Sequence, residues 1–344
     1  VPSTQPSMVE DPVAELVGRQ QALLRDHLAR FVGPGSDYAL LDFPDYANVG
    51  DSAIWLGAIS VLTGLTGRQP FLASRADGFR AEALERLPDG GVIFINGGGN
   101  FGDIWQGPQM FRESILSRFR DRTIVQLPQS IHYGDEAAAD RTAKVIADTS
   151  DFHLFVRDHK SMQFAETRLN CAATLAPDCA MGMGPLDRRG PVEIDLLWLL
   201  RSDVERDPRN REAPGEGAIV EDWLEEPPMP RGSLRRAAVW DMLKSGSLSL
   251  ELTRTLLLNR IAAHRLERGL RQLSRARHVV TDRLHSHILC AMMGIPHVVL
   301  DNSYGKVSGY RNCWHGDLDI AVLAGSAAEI PQALKALDAL GEPT

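Results

Sequence analysis

Cysteine is scarce in this chain: four in 344 residues (Cys171, Cys179, Cys290, Cys313), with no Cys-x-x-Cys pair and no Cys/His spacing of a zinc site. That excludes a disulfide scaffold and predicts reduced thiols, as in a cytoplasmic protein. Basic residues are in deficit, Lys+Arg 37 against Asp+Glu 45, for a net charge of −8. A nucleic-acid partner would need the opposite balance and is not expected. No run approaches the ~20 apolar residues of a membrane span, and no charged-then-apolar leader opens the chain, so neither a spanning segment nor export is expected. The lead before about Asp11 carries no motif and is assigned no function.

What is present is a globular composition, 44% hydrophobic and 24% charged, with length for about two domains of ~150 residues. Short β-branched or apolar runs alternate with amphipathic stretches, the pattern of βαβ units on a parallel sheet. Strands are expected at 38–43, 91–95, 123–127 and 153–156, with shorter ones near Phe71 and Thr174. Helices are expected at 52–65, 78–86, 110–120, 136–148 and 160–167. A second series of strands is expected at 194–200, 279–282, 297–301 and 320–323, with a long helix over 252–273 and a terminal one over 327–340. The expected fold class is therefore α/β, with two Rossmann-like doubly wound domains, 12–185 and 186–344, joined where Gly182, Gly184, Pro185, Gly190 and Pro191 punctuate the pattern. Residues 203–233 carry five prolines and nine acidic residues and read as a mobile insertion.

In an open α/β sheet, ligands sit beyond the carboxyl ends of the strands. Four such ends stand out. Asn48-Val49-Gly50-Asp51 follows the first strand, where Asp51 either caps the next helix or meets a ligand. Gly97-Gly98-Gly99-Asn100-Phe101-Gly102-Asp103 follows a buried strand and suits close approach of a ligand to backbone N–H groups. Its GxGxxG spacing alone would suggest a dinucleotide, but the stretch follows a late strand and the next strand ends Leu127-Pro128-Gln129 without a ribose-binding acid, which weakens that reading against a ligand-lining loop or a tight structural turn. Gln129-Ser130-Ile131-His132 offers a histidine for proton transfer. Thr281-Asp282-Arg283-Leu284-His285-Ser286-His287 places a cation and two histidines ahead of an apolar helix, an anion site with proton-transfer capacity; an internal Asp282–Arg283 pair is the structural alternative. Arg201 and Arg157 are further strand-end cations. Asp317-Leu318-Asp319 precedes its strand rather than ending it, and no metal site is expected.

In order along about residues 45–310, Asn48-Val-Gly-Asp51, Ile95-Asn-Gly-Gly-Gly-Asn100, Gly102-Asp103, Leu127-Pro-Gln-Ser-Ile-His132, Phe155-Val-Arg-Asp158, Leu200-Arg-Ser-Asp203 and Thr281-Asp-Arg-Leu-His285 resemble the polysaccharide pyruvyl transferase family. The resemblance implies two Rossmann-like domains facing a cleft in a GT-B-like arrangement. It also implies transfer of pyruvyl from phosphoenolpyruvate, as co-substrate without a further cofactor, to a sugar or lipid-linked glycan. Arg283, Leu284 and His285 match the family's donor-binding Arg-Leu-His. Either Arg201 or Arg157 would be a second donor arginine, with Arg201 preferred. His285 is the expected general acid and His132 its competitor, with Asp103 as a proton acceptor. Asn48, Asp51, Asn100 and Asp103 would serve the acceptor in the first half of the chain. The insertion after Asp203 matches least. Glycan acceptors on lipid carriers would bring peripheral contact with the cytoplasmic membrane, for which the basic stretch 254–277 is the candidate. The competing readings are a GT-B glycosyltransferase using a nucleotide sugar and a non-catalytic carbohydrate-binding protein.

Overall fold

A computed structural model describes residues 12–211, 214–246, 248–303 and 305–340; the lead before about Asp11 lies outside the described residues. Helix α1 (Pro12–Leu28) precedes β1 (Tyr38–Leu41), α2 (Val49–Thr66), β2 (Leu72–Ser74), α3 (Ala81–Glu85), β3 (Val92–Ile95) and β4 (Gly98–Gly102). Then follow α4 (Gln106–Arg118), β5 (Thr123–His132), α5 (Glu136–Ala147), β6 (Asp151–Val156), α6 (His159–Thr167) and β7 (Ala173–Leu175). A 3₁₀ turn, Cys179–Met183, leads to β8 (Ile194–Leu199), α7 (Pro208–Arg211), β9 (Ile219–Glu221), α8 (Arg231–Lys244) and α9 (Leu250–Ser274). The chain continues through β10 (Ala276–Thr281), α10 (Leu284–Met292), β11 (His297–Val299), α11 (Lys306–Trp314), β12 (Ala321–Leu323) and α12 (Ile330–Ala339).

These strands make two parallel sheets. The first runs β2-β1-β3-β5-β6-β7, with β4 paired to β5; the second runs β9-β8-β10-β11-β12. Leaving β4 aside, the two share one plan: the chain starts inside the sheet, steps outward once, then returns across its first strand. The order therefore reverses between β1 and β3 in one sheet and between β8 and β10 in the other. At such a reversal the flanking connections diverge to opposite faces and leave a crevice beyond the strand ends. The central strands are buried on both faces, as Val92–Ile95 shows by being buried throughout, which is why they read as continuous apolar runs rather than alternating ones.

Helix α2 is largely apolar, and only a narrow face, with Ser60 and Gly64 exposed, meets solvent. It has the length and hydropathy of a membrane span, yet 67% of it is buried inside the protein. Gly57 lets it approach the Cys179–Met183 turn so closely that a Cβ would overlap the Cys179 carbonyl. At its start, Val49 fits against Gly269 of α9 in the same way. The helix thus ties the first sheet to the elements around the second, and its N-terminus is held at the mouth of the crevice.

Three expectations need correction. Residues 203–233 are not a featureless insertion: they supply α7, the edge strand β9 and the start of α8, and they bury Glu205 and Trp223. The glycine-rich stretch after β3 is not a loop running into a helix but the short strand β4. Gly98 and Gly102 there take φ of 136° and 135°, which side chains rarely adopt. Strand β5 extends past Pro128 to His132, pairing with β4 as well as with β6, and its register against β6 shifts between Gln126 and Gln129.

Candidate active site

Both reversal points open into one cavity of about 470 Å³. Its lining comes from the segments that follow β1 (Tyr46, Asn48, Asp51), β8 (Arg201, Asp203, Glu205) and β10 (Arg283, Leu284, His285) and from β4 (Gly99, Asn100), with Trp105, Pro108, Trp223, Leu224 and Lys306 completing it.

On the first sheet's side, Asn48 caps α2: its Oδ1 accepts from Gly50 N at 3.2 Å, while its Nδ2 donates to Asp51 at 2.6 Å. Capping and lining are therefore both true of this motif. Gly50 has a second reason to be glycine, since a Cβ there would stand 2.5 Å from the His285 ring. Asn100 is fixed by donors from Arg112 at 2.8 Å and Gln129 at 2.9 Å. Behind it, Asp42 has a left-handed φ of 67°, and burial pushes its carboxyl up to about 6 against the pull of Arg112 and of Asn100.

On the second sheet's side, the arginines are held by carboxylates. Arg201 makes a two-point contact with Asp203, Nε and Nη2 each at 2.9 Å, and its Nη2 is 3.0 Å from Glu205. Arg283 Nε pairs with Asp222, whose carboxyl this contact holds below the usual range although burial works the other way. The expected alternative, an Asp282–Arg283 pair, is not what forms. Asp282 instead accepts from Arg201 N at 2.8 Å and Asn210 Nδ2 at 3.3 Å, clamping the ends of β8 and β10 together. Arg283 Nη2 is buried without a hydrogen-bond partner among the described residues and lies 3.7 Å from Asp203.

The two histidines of the Arg-Leu-His-Ser-His stretch go different ways. His285 Nε2 faces Asp178 Oδ2 at 3.3 Å. Asp178 is fully buried, and although burial alone would raise its carboxyl, His285, Arg157 and the Ala180 N–H outweigh it and hold it far below the usual range. His287 turns into the core, joining His297 at 2.7 Å and His315 at 2.9 Å.

Seven of the predicted residues meet in the cavity: Asn48, Asp51, Asn100, Arg201, Arg283, Leu284 and His285. Three do not line it. Asp103 accepts from the backbone N–H groups of Gly134 at 2.8 Å and Asp135 at 2.6 Å, holding the turn after β5. His132 ends β5 opposite Gly102, and burial pulls its imidazole below the ordinary value. Arg157 is fully buried behind Gly99, bonded to Asp178 and, at 3.0 Å, to Ser130, with Nη2 unpartnered among the described residues.

Sequence reasoning missed Lys306, Glu205, Asp178, Asp222, Tyr46, Trp105 and Trp223. Lys306 stands at the start of α11 with Nζ 3.4 Å from Glu205, and burial lowers its ammonium against the pull of that carboxylate. A Cβ on Gly99 would overlap Lys306 Nζ and come within 3.0 Å of Arg157 Nη2, so two cations converge on one glycine. Lys306 follows the β11 strand end and could have been found by the same strand-end rule. Trp105 Nε1 donates to Glu205 at 3.1 Å across about a hundred residues of sequence, with no local signal. Among the described residues, no group of three or more His, Cys, Asp or Glu is placed to hold a metal ion.

The fold is that of a solved protein from Klebsiella pneumoniae subsp. pneumoniae NTUH-K2044, described as functionally uncharacterised, at a TM-score of 0.59 and 16% identity over 89% of this chain and 99% of that one. Parallel α/β sheets whose strand ends present cations and a histidine to one cavity define an α/β protein with a candidate anion-binding site. The sequence profile of polysaccharide pyruvyl transferases matches residues 48–304, from the cap of α2 to the approach to Lys306, and the chain belongs to that family. Pyruvyl transferase 1 of Schizosaccharomyces pombe is 30% identical over 348 aligned residues, covering 94% of this chain and 80% of that protein.

Proposed function

We propose that the protein moves the pyruvyl group of phosphoenolpyruvate onto two hydroxyls of one sugar, forming a cyclic ketal and releasing phosphate. The observation that carries this is the lining of one cavity, which brings Arg283, Arg201, Lys306 and His285 together with Asn48, Asp51 and Asn100. Phosphoenolpyruvate bears a phosphate and a carboxylate and asks for several cations, preferably planar guanidinium groups. Neutral amides and a carboxylate suit sugar hydroxyls.

In this reading His285, oriented by Asp178, gives a proton to the methylene carbon of the enol, and the adjacent carbon becomes oxocarbenium-like. A sugar hydroxyl adds there and gives its proton to Asp51, which takes the part expected of Asp103. The C–O bond to phosphate then breaks, with the arginines and Lys306 stabilising the leaving anion. The second hydroxyl adds to the same carbon and closes the ketal. Of the two hydroxyl protons, one balances the new methyl group and the other leaves with phosphate. Asp203, Glu205 and Asp222 balance the charge of Arg201 and Arg283, and Arg283 Nη2, buried without a hydrogen-bond partner among the described residues, is the cavity-lining guanidinium nitrogen most available to an incoming anion.

The test is incubation with phosphoenolpyruvate and a panel of β-galactosides, mannosides and glucosides, following phosphate release together with a mass gain on the sugar. Phosphate and pyruvylated sugar in equal amounts support the reading. Release of a nucleoside diphosphate from a nucleotide sugar, with no use of phosphoenolpyruvate, would replace it with glycosyl transfer.

A further inference from the structure

Helix α8 is apolar on two faces, and the protein covers one. Ala238 is fully buried, and Leu234 joins the cluster that contains Leu257 and Leu258 of α9. The opposite face presents Val239, Trp240 and Leu243, which are 37%, 60% and 49% exposed, and the turn into α9 adds Leu248 at 87% and Leu250 at 66%. Five large apolar side chains in twelve residues are left in water, where single exposed ones would need no explanation.

The charges around them have one sign. Arg235 and Arg236 precede the apolar residues by one helical turn, Lys244 follows them, and the Lys244 ammonium lies 5.7 Å over the Trp240 ring. The only acid of α8, Asp241, pairs with Arg260 of α9. The next acid, Glu251, is held by Arg254 at 2.8 Å. A cationic, apolar stripe therefore stands on a chain whose net charge is −8. A second copy of the chain meeting the same stripe across a two-fold axis would set cations against cations. A uniformly anionic surface with an apolar layer beneath it matches both parts.

We infer that the α8–α9 corner docks on anionic phospholipid, with Trp240, Leu243 and Leu248 entering the headgroup boundary and Arg235, Arg236 and Lys244 meeting phosphates. This relocates the membrane contact expected of the basic stretch 254–277. The arginines of that stretch are engaged within the protein: Arg260 with Asp241, Arg265 with Asp45 and Glu226, Arg268 with the carbonyls of Ala47 and Glu225. The inference does not rest on pyruvyl transfer.

Co-sedimentation of the full chain with vesicles tests it, using phosphatidylcholine alone and phosphatidylcholine mixed with phosphatidylglycerol, at low and high salt. Binding to the mixed vesicles should be roughly tenfold or more tighter than to the neutral ones and should weaken with salt. Trp240→Ser with Leu243→Ser should reduce it by roughly tenfold. Arg235→Glu with Arg236→Glu should erase the preference for anionic vesicles. These positions are exposed, and unchanged thermal melts would show that the variants fold. Absence of vesicle binding, equal binding to both vesicle types, or a self-association lost in the Trp240→Ser, Leu243→Ser protein without any vesicle effect would overturn the inference.

Discussion

Arg283 is where the proposed chemistry can be tested most sharply, because its guanidinium has two tasks. Nε is bound to Asp222, while Nη2 is buried, 3.7 Å from Asp203 and without a hydrogen-bond partner among the described residues. A lysine here keeps the charge but gathers its donors on one terminal nitrogen, so it cannot reproduce the planar fork that holds Asp222 through Nε and presents Nη2 to a donor anion. Arg283→Lys should therefore lose at least one charge-assisted hydrogen bond to phosphoenolpyruvate, about 1.5–3 kcal/mol, or roughly 10- to 150-fold in affinity. At a concentration about 100 times the parent's dissociation constant, phosphoenolpyruvate should stabilise the parent by about 2.7 kcal/mol and the variant by only about 0.3–1.4 kcal/mol. Denaturant unfolding with and without ligand measures the difference, and calorimetry measures the affinity directly. Removing the arginine altogether strands Asp222, a loss of about 3–5 kcal/mol for a buried pair. Arg283→Met with Asp222→Asn should restore much of the stability while leaving donor binding weak. An equal ligand-induced gain in parent and Arg283→Lys would take Arg283 out of the donor site and refute the reasoning.

Three further outcomes follow from the geometry. His285→Gln should lower the rate of the chemical step by roughly 10²–10⁴-fold with a smaller change in donor affinity; retention of most activity in single-turnover measurements would move the role to His132. Gly99→Ala should weaken phosphoenolpyruvate binding by displacing Lys306 and crowding Arg157, whereas Asp103→Asn should alter stability but not substrate constants; calorimetry on the two folded proteins compares them, and an Asp103→Asn protein with the larger binding defect would reverse the assignment. His287, His297 and His315 are all held below the ordinary imidazole value of 6.5, His297 at about 4 and His315 at about 3, chiefly by burial. The unfolded chain takes up protons that the folded trio refuses, so their contribution is intact above about pH 6.5 and declines as pH falls toward 4, by up to about 4 kcal/mol per pH unit for three groups. Urea midpoints that do not move between pH 7 and 5 would show that the trio is protonated in the fold.

That histidine chain also has a defined proton order. The Ile295 carbonyl accepts from His297 Nδ1, which leaves His297 Nε2 to accept from His287 Nδ1. His287 Nε2 in turn accepts from His315 Nδ1, so the last lone pair, on His315 Nε2, is buried without a partner among the described residues. Residue type and local pattern do not separate His287 from His285, two residues earlier; only the resemblance to the family's Arg-Leu-His singles out His285. On a helix, residues two apart point in different directions. Here one faces Asp178 and the cavity, and the other the core.

The sequence by itself determined the α/β alternation and the strand ends where ligand groups gather. Asn48, Gly50, Asp51, the Gly97–Gly102 glycines and Arg283 to His285 were all legible there, because each is a local departure from a strand or helix pattern, and a local departure needs a local reason. It could not determine which departures face one another. Asp103 and Asn100 are three residues apart on one glycine-rich stretch, yet Asn100 lines the cavity and Asp103 holds a turn, because β4 pairs with β5 instead of leaving as a loop. Residues 203–233 looked like solvent-exposed excess because acids and prolines dominate them; tertiary structure makes them an edge strand and gives Arg283 its partner Asp222. Glu205, Trp105 and Asp178 acquire their roles only when segments 100 or more residues apart converge, since burial and charge pairing act through space while sequence patterns report on neighbours along the chain.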